Sequence, residues 1–354
     1  MKSIICNPSY GNNPYIRTTE MALKLSDKLG ENISVVVPHL YGEKQTRILR
    51  ETFGEDPRII LDETFGIILR KIFFEGTSYA AFLEQWMGES DAISEEAQEY
   101  LHATYDILCE ISRSPLLNLG ISPAFYNSWF RTSVILERAA TEPAIAIDKT
   151  LLQTAAEKFR ALESRYQLHM ISVPGTFDPG KDDTPIPLGV SLPVVDEQVV
   201  QHGVYVTVSG IPDVGPLQSI ADRLGIKIYA SDSAKIQRSV HALPGILAHQ
   251  EIVAHIARAG WGAIGTSLAT GTPLIVPAYQ KDEDPEIFFN IRRIEELGLG
   301  VEFRNQTATE LLAMMKILRP RIAEYREKLL EQFGTLDGAQ MAANIIAEKL
   351  LENY

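Results

Sequence analysis

The sequence predicts an α/β protein made of two successive halves, each built on a parallel β-sheet. Three observations predict this fold class. The chain opens with a strand–helix–strand pattern, a second such pattern begins after residue 200, and a segment rich in proline and glycine separates them. The length of 354 residues suits two domains of ordinary size.

The first half opens with one β-α-β unit. Apolar patterning predicts a buried strand at residues 3–6, a turn-rich loop at 7–15, a helix at 18–29 and a second strand at 33–37. Gly30 follows the helix, where glycine commonly provides the C-cap. Further helices are predicted at residues 62–74, 79–87, 94–111 and 150–162, before a strand at 168–173.

The second half repeats the α/β pattern. We predict strands at residues 204–208, 226–230, 252–257 and 273–276, and helices at 217–224, 309–332 and 340–352, with a glycine-punctuated helix between the last two strands. The proline and glycine content of residues 174–193 is typical of a linker. We therefore expect an N-terminal domain at 1–173, a linker at 174–200, a second domain at 201–335 and a C-terminal helix at 336–354.

Composition and charge restrict the ligands and the compartment. The net charge of −13 disfavours nucleic acid and broad adhesion to an anionic membrane, but a small phosphate-bearing ligand can bind helix termini and backbone amides. The sequence contains two cysteines, Cys6 and Cys109. Two cysteines are too few for a disulfide framework or for a zinc site built on cysteine. This low cysteine content favours a cytoplasmic location. No apolar run reaches the roughly 18 residues of a membrane-spanning helix. We expect no metal site.

Residues 246–277 form the most informative segment. They predict a strand, a Gly-Trp-Gly turn, a helix, a Gly-x-Pro stop and another strand. Gly260 and Gly262 let backbone N–H groups approach a ligand closely, and the helix directs its positive dipole end to the same place. Arg258 precedes the turn and offers a planar cation for a diphosphate. This arrangement is typical of pyrophosphate binding.

The same segment resembles the donor-binding signature of the GT-B glycosyltransferases. In the plant-type nucleotide-sugar transferases the signature contains Leu-x-His, then His-Cys-Gly-Trp-Asn-Ser, then an acid with an asparagine four residues later. The positions that match in register are Leu247, His249, Gly260, Trp261, Gly271, Pro273, Glu286 and Asn290. The resemblance covers residues 240–350, whereas the first half is similar only in architecture.

The resemblance implies two facing Rossmann-like domains (GT-B), with a C-terminal helix crossing back. The branches of this family that the segment resembles are the UDP-glycosyltransferases and the lipid-carrier N-acetylglucosaminyltransferases. The implied activity is transfer of a hexose from a nucleoside-diphosphate sugar to the hydroxyl of an unknown acceptor, inverting and without a metal or other cofactor. The implied contacts are Arg258, Gly260, Gly262, Ser209 and Gly210 with the donor diphosphate, Thr266, Leu243 and Leu247 with ribose and base, and Glu286 and Asn290 with the donor sugar.

Four positions depart from the family pattern. Arg258 stands for a phosphate-binding histidine, Ala263 for a serine, Thr266 for the acid that holds the ribose of UDP, and Ile287 for a glutamine. Threonine cannot accept a paired diol hydrogen bond as a carboxylate does. In relatives that use deoxythymidine-diphosphate sugars a small residue often stands there, and an Arg-Ala-Gly-like turn occurs in the lipid-carrier branch. We expect the donor to be held differently from UDP-glucose.

The catalytic base is not identified by the sequence. Many relatives carry a histidine or an acid in the loop after the first strand, but residues 7–16 contain no His, Asp or Glu. The nearest imidazoles are His39, after the second strand, and His102, in a predicted helix. Both remain candidates.

Several of these residues also have structural interpretations. Arg258 can form an ion pair within the protein, Glu286 and Asn290 can cap a helix, and His255 fits a buried core position. The aromatic segment at residues 125–130 fits either an acceptor wall or the core. For the apolar and basic run at residues 67–74, a buried helix is favoured over peripheral membrane contact.

Two other functions fit the sequence less directly. A degenerate homologue with a binding or regulatory role is compatible with the missing loop base and with the substitutions at Ala263, Thr266 and Ile287. A sugar-nucleotide epimerase shares the two-domain layout, but it needs several carboxylates and a histidine around one sugar.

Overall fold

The computed structural model describes residues 1–30, 33–73, 78–190, 200–208 and 213–352, with the side chain of Asn12 left out. The chain forms two compact units. The first consists of Met1–Gly189 with Gly338–Tyr354, and the second of Val190–Asp337. Each contains one parallel sheet with helices packed against it, so the predicted α/β class is confirmed.

The first unit contains a seven-stranded sheet. Its strands in chain order are β1 (Lys2–Pro8), β2 (Ser34–Pro38), β3 (Ile59–Asp62), β4 (Asp106–Arg113), β5 (Ala124–Ser128), β6 (Leu168–Ser172) and β7 (Thr184–Ile186). They lie in the order β3-β2-β1-β4-β5-β6-β7, and all neighbours are parallel. The order reverses between β1 and β4, so the carboxyl ends of these two strands flank a crevice of the kind that binds ligands in open α/β sheets.

In the described parts of the first unit, six helices connect these strands. They are α1 (Asn12–Leu29), α2 (Glu43–Phe53), α3 (Glu63–Arg70), α4 (Tyr79–Thr104), α5 (Thr132–Thr141) and α6 (Lys149–Glu163). The Asp62 carboxylate caps α3 by accepting from the Phe65 amide at 2.8 Å, and Gly30 ends α1 in the left-handed conformation with φ 67°. The C-cap predicted at Gly30 is therefore confirmed.

The second unit contains a six-stranded parallel sheet. Its strands are β8 (Gly203–Val206), β9 (Lys227–Ala230), β10 (Ser239–His241), β11 (Ile252–Ile256), β12 (Leu274–Val276) and β13 (Gly300–Glu302), in the order β10-β9-β8-β11-β12-β13. Its helices are α7 (Gly215–Leu224), a 3-10 helix (Pro244–Ala248), α8 (Trp261–Thr270), α9 (Pro285–Leu297) and α10 (Ala308–Phe333). The order reverses between β8 and β11, so a second crevice lies at their carboxyl ends.

The last helix, α11 (Gly338–Glu352), belongs to the first unit. Ala342, Ala343 and Ile346 are fully buried in the core that α1 and the sheet share. The small side chains of Ala342 and Ala343 allow α11 to lie close to α1. The chain therefore leaves the first unit, forms the second, and returns to complete the first.

The structure corrects the helix predicted at residues 94–111. Helix α4 ends at Thr104, Tyr105 is extended, and residues 106–113 form the central strand β4. A short, mostly apolar run such as Ile107 to Ile111 has no periodicity that separates a buried strand from a buried helix. Pairing with β1 on one side and β5 on the other makes this run a strand.

The linker prediction is also corrected in part. Residues 174–189 belong to the first unit, and β7 adds an edge strand to its sheet. Pro185 lies within this strand, which is tolerated because an edge strand does not need every N–H for pairing. Residues 191–199 lie outside the described residues. Within the described ranges, no helix is long and apolar enough to cross a membrane.

Candidate functional site

The turn between β11 and α8 forms the centre of the candidate site. Gly260 is the N-cap of α8, in extended conformation, and its carbonyl accepts from the amides of Ala263 and Ile264 at 3.0 and 3.1 Å. The first turn of α8, which includes Gly262, presents its N–H groups at the carboxyl edge of the sheet. A Cβ at Gly260 would meet no described atom within 4 Å, so none of the described residues crowds this side of the glycine.

Arg258 lies at this turn and pairs with Glu283. Its Nε donates to Glu283 Oε1 at 2.5 Å, and the two side chains are only 17% and 19% exposed. Glu283 belongs to the loop at residues 277–284, which follows β12. Its carbonyl accepts from the Tyr279 hydroxyl at 3.0 Å, and its amide donates to the Gln280 carbonyl at 3.0 Å. The ion pair within the protein, one of the two interpretations of Arg258, is therefore present.

Glu286 and Asn290 lie on the first turns of α9. Asn290 is fully buried, and its Nδ2 donates to the Ala259 carbonyl at 2.8 Å and to Glu286 Oε1 at 2.9 Å. Asn290 thus ties α9 to the turn that precedes α8. Asp284 caps α9 by accepting from the Glu286 amide at 2.9 Å. These contacts bring Glu286 and Asn290 to the same turn as Arg258 and Gly260.

The residues assigned to ribose and base are placed differently from one another. Thr266 donates its hydroxyl proton to the Gly262 carbonyl, one turn back in α8, at 2.8 Å. The Leu247 side chain is buried in the core, and its carbonyl accepts from the Thr272 hydroxyl at 2.6 Å. Leu243 is half exposed, at 51%. Their ligand contacts remain predictions.

The predicted diphosphate contacts Ser209 and Gly210 lie outside the described residues. The strand β8 that precedes them ends at Val206, beside β11.

His255 is a buried structural histidine, as its strand position predicts. Its Nε2 is 2.7 Å from Thr207 Oγ1 and its Nδ1 is 2.7 Å from Ser267 Oγ. Burial lowers its pKa to about 3, so the ring is neutral at physiological pH. The ring joins the segment after β8 to the middle of α8, and it supports the site without reaching it.

The first unit carries an aromatic cluster at the carboxyl edge of its sheet. Tyr10 follows β1 and Tyr41 follows β2, while Phe73, Tyr79 and Phe82 come from the segment after α3 and the start of α4. Ring centroids are 5.7 Å apart for Tyr10 and Phe82, and 5.9 Å for Tyr41 and Phe73. The Tyr41 hydroxyl accepts from the Gly11 amide at 2.7 Å. Sequence reasoning missed this cluster because its members are far apart along the chain.

The two base candidates lie on opposite edges of this sheet. His39 follows β2 at the carboxyl edge, with Nε2 3.2 Å from Thr46 Oγ1 and Nδ1 3.9 Å from Glu63 Oε1. His102 is exposed in the last turn of α4, immediately before β4 begins. The start of a parallel strand marks the amino edge, so only His39 lies on the edge where ligands bind.

A buried carboxyl group, Glu110, was also missed. It lies on β4 and accepts from Asn7 Nδ2 at 2.8 Å and from the Tyr166 hydroxyl at 2.7 Å, while burial raises its pKa. These bonds join the end of β1 to β4. The helix predicted at residues 94–111 led sequence reasoning to overlook Glu110, because strand pairing is what turns its side chain toward Asn7.

The aromatic segment at residues 125–130 contributes to the core. Phe125, Tyr126 and Trp129 are each at most 1% exposed. Among the residues that the structure describes, no group of three or more His, Cys, Asp or Glu side chains is arranged to hold a metal ion. Independence from metal remains a prediction.

Comparison with known proteins identifies the fold. No protein-family model matches the sequence, and no curated protein matches it. TcCGT1 in complex with UDP matches with a TM-score of 0.67 at 11% identity, over 100% of both chains. UGT2 of Phytolacca americana, complexed with UDP-2fluoro-glucose and pterostilbene, matches with a TM-score of 0.61 at 12% identity, over 99% of this chain and 100% of that one.

A bacterial structure extends the comparison. SsfS6, a glycosyltransferase of Streptomyces sp. SF2575, matches with a TM-score of 0.56 at 13% identity, over 98% of this chain and 99% of that one. At these identities the likeness shows the fold alone. The chain has the GT-B architecture of two Rossmann-like domains, which confirms the fold expected from residues 240–350.

Proposed function

We propose that this protein is a glycosyltransferase that moves a hexose from a nucleoside-diphosphate sugar to an acceptor hydroxyl. The observation that carries the proposal is the turn before α8. There a glycine N-cap that no described residue crowds, the amino end of a ten-residue helix and an arginine meet at the carboxyl edge of a parallel sheet. This combination suits a diphosphate, because backbone N–H groups, the helix dipole and a guanidinium all favour a negative charge.

Glu286 and Asn290 support the assignment of the donor sugar to the same turn. The Asn290 amide fixes Glu286 through one hydrogen bond and the Ala259 carbonyl through another. A carboxylate fixed beside a diphosphate site accepts hydrogen bonds from sugar hydroxyls. The sugar attached to the diphosphate would therefore lie against Glu286. Asn290 would hold the Glu286 side chain in position for this contact.

The first unit supplies the acceptor side of the proposal. The cluster of Tyr10, Tyr41, Phe73, Tyr79 and Phe82 lies at the carboxyl edge of its sheet. Tyr79 and Phe82 are buried, and Tyr10, Tyr41 and Phe73 are partly exposed and offer aromatic and phenolic groups. Similar structures in complex with UDP and with UDP-2fluoro-glucose make a nucleotide-sugar donor consistent with this fold.

The proposed chemistry is a single inverting displacement. The acceptor oxygen attacks the anomeric carbon, the bond from that carbon to the diphosphate oxygen breaks, and the diphosphate leaves with the bonding electrons. Arg258 and the amino end of α8 stabilise the charge that develops on the leaving group. The acceptor proton passes to a base. Of the two histidine candidates, only His39 lies at the carboxyl edge of its own sheet. No metal or other cofactor takes part in this scheme.

The test is the replacement of Arg258 by alanine. We expect Arg258→Ala to weaken binding of UDP or TDP by at least about tenfold, because a charge-assisted contact to a phosphate is worth roughly 1.5–3 kcal/mol. Titration calorimetry measures the affinity. Arg304→Ala is the matched control, since Arg304 pairs with Glu295 and Glu302 and not with a residue of the turn. Equal affinity in Arg258→Ala and the unaltered protein would remove Arg258 from the donor site.

A second measurement separates catalysis from binding alone. Hydrolysis of a nucleotide sugar to nucleoside diphosphate and free sugar, with water as the acceptor, is expected at a low rate. Tight nucleotide binding without any turnover would identify a non-catalytic homologue instead.

A further inference from the structure

We propose that Glu283 competes with the donor diphosphate for Arg258, so that this ion pair sets the affinity of the site. The inference rests on the proposed function, because it concerns regulation of the same diphosphate site. Its basis is the contact between Arg258 Nε and Glu283 Oε1 at 2.5 Å, directly beside the amino end of α8.

The loop at residues 277–284 holds Glu283 in position. The Glu283 amide donates to the Gln280 carbonyl and its carbonyl accepts from Tyr279, both at 3.0 Å. Glu283 Oε2 also accepts from the Gln280 amide at 3.4 Å. Asp284, the next residue, caps α9. The carboxylate is therefore presented to Arg258 by a loop that is anchored at both ends, between β12 and α9.

The charge of this carboxylate acts against an anionic ligand. With both side chains more than four-fifths buried, the negative charge of Glu283 offsets the positive charge of Arg258 at close range and with little screening by water. A diphosphate that approaches Arg258 meets this carboxylate and must replace or share its hydrogen bond. Donor binding is consequently weaker than the arginine and the helix terminus would give by themselves.

Glu283 also differs from a residue that only orients the arginine. Replacement by glutamine keeps an oxygen that accepts from Arg258 Nε, but removes the negative charge. A positioning role would therefore survive in Glu283→Gln with unchanged or weaker ligand binding. Competition by charge predicts the opposite, a gain in affinity.

The experiment measures the affinity of UDP and TDP by titration calorimetry on the full-length protein. We expect Glu283→Gln to bind both about threefold to tenfold more tightly, because it removes the negative charge that offsets the charge of Arg258. Glu295→Gln is the matched control. Glu295 is likewise an acid paired with an arginine, Arg304, in the same unit, and its replacement should leave the affinity unchanged.

A double substitution tests whether Glu283 affects the nucleotide affinity through Arg258. In the Arg258→Ala background, Glu283→Gln should change the affinity by a different factor than it does in the unaltered protein, because two residues that share one interaction do not contribute independently. Glu283→Asp, which keeps the charge but draws it back by one methylene, should fall between the glutamine variant and the unaltered protein. Thermal unfolding of each variant verifies that it is folded, and Glu283→Asp carries the test if Glu283→Gln does not fold.

The outcomes separate the two proposals. If the unaltered protein binds nucleotide and Glu283→Gln binds it equally or less tightly, competition by Glu283 is wrong and the donor site stands. If no nucleoside diphosphate binds to the unaltered protein or to Glu283→Gln, the proposed function is wrong and the inference fails with it.

Discussion

At the scale of single residues, the nucleotide preference of the proposed site depends on position 266. Thr266 lies on α8 and donates its hydroxyl proton to the Gly262 carbonyl at 2.8 Å. The hydroxyl oxygen can then only accept hydrogen bonds from a ligand. The threonine side chain is also too short to accept from both hydroxyls of a ribose. A carboxylate at this position would accept from both.

Thr266→Glu should therefore shift the preference toward ribonucleotides. We expect the ratio of UDP affinity to TDP affinity to rise, because UDP carries the 2′-hydroxyl that TDP lacks. Titration calorimetry with both nucleotides measures the ratio. Thr270→Glu, one turn further along α8, serves as the control, since Thr270 makes the same kind of bond to the Thr266 carbonyl. An unchanged ratio in Thr266→Glu would end the assignment of position 266 to the ribose.

Local sequence patterns predicted the burial of His255 but not that of Glu110. His255 was expected in the core from its alternation in an apolar strand, and Thr207 and Ser267 satisfy both its nitrogens. Glu110 was not expected there, because no local pattern marks a carboxyl group for burial. Its partners Asn7 and Tyr166 are 103 and 56 residues away along the chain, respectively.

At the scale of elements, one buried carboxyl group joins two helices of the first unit. Glu163 is the last residue of α6, and its carboxylate accepts from the Ser133 hydroxyl at 2.5 Å and from the Ser133 amide at 3.3 Å, in the first turn of α5. Burial raises the pKa of Glu163 to about 7. The folded protein therefore retains a proton that the unfolded chain releases at lower pH.

This pKa predicts how stability depends on pH. Between about pH 4.5 and pH 7 the unfolded state binds fewer protons at this residue, so its contribution to the free energy of unfolding falls as the pH rises. Glu163→Gln removes that fall, and at pH 8 it should be more stable than the unaltered protein by up to about 3 kcal/mol. Urea unfolding across this pH range provides the measurement. Glu157→Gln, on the exposed side of α6, should keep the original dependence. Parallel curves for Glu163→Gln and the unaltered protein would refute the assignment.

At the scale of the whole molecule, the first unit is closed by a helix from the far end of the chain. The Gly338 amide, at the start of α11, donates to the Leu188 carbonyl at 2.8 Å. A Cβ at Gly338 would lie 2.2 Å from the carbonyl oxygens of both Leu188 and Pro187, and backbone atoms cannot move aside as a flexible side chain does. Glycine here permits α11 to dock where the chain leaves the first unit.

Gly338→Ala should therefore destabilise the protein, by about 1–3 kcal/mol, because α11 must shift away from the segment at residues 187–188. Gly88→Ala is the opposite case in the same unit. Gly88 lies within α4 with no described atom within 4 Å of a Cβ, so alanine should stabilise by about 0.5–1 kcal/mol. Urea unfolding of both variants makes the comparison. A Gly338→Ala protein as stable as the unaltered one would show that α11 does not depend on this close approach.

The sequence by itself determined the α/β class, the two halves and the turn at Gly260, with the resemblance of residues 240–350 pointing to the GT-B fold. These features follow from local patterns, since apolar periodicity and glycine placement act over a few residues. The tertiary structure decided that residues 106–113 form a central strand, that β7 lies in the first unit, and that Arg258 meets Glu283. Each of these depends on which distant segments pair, and the burial and charge balance that result from such pairing are not encoded in any local window of the chain.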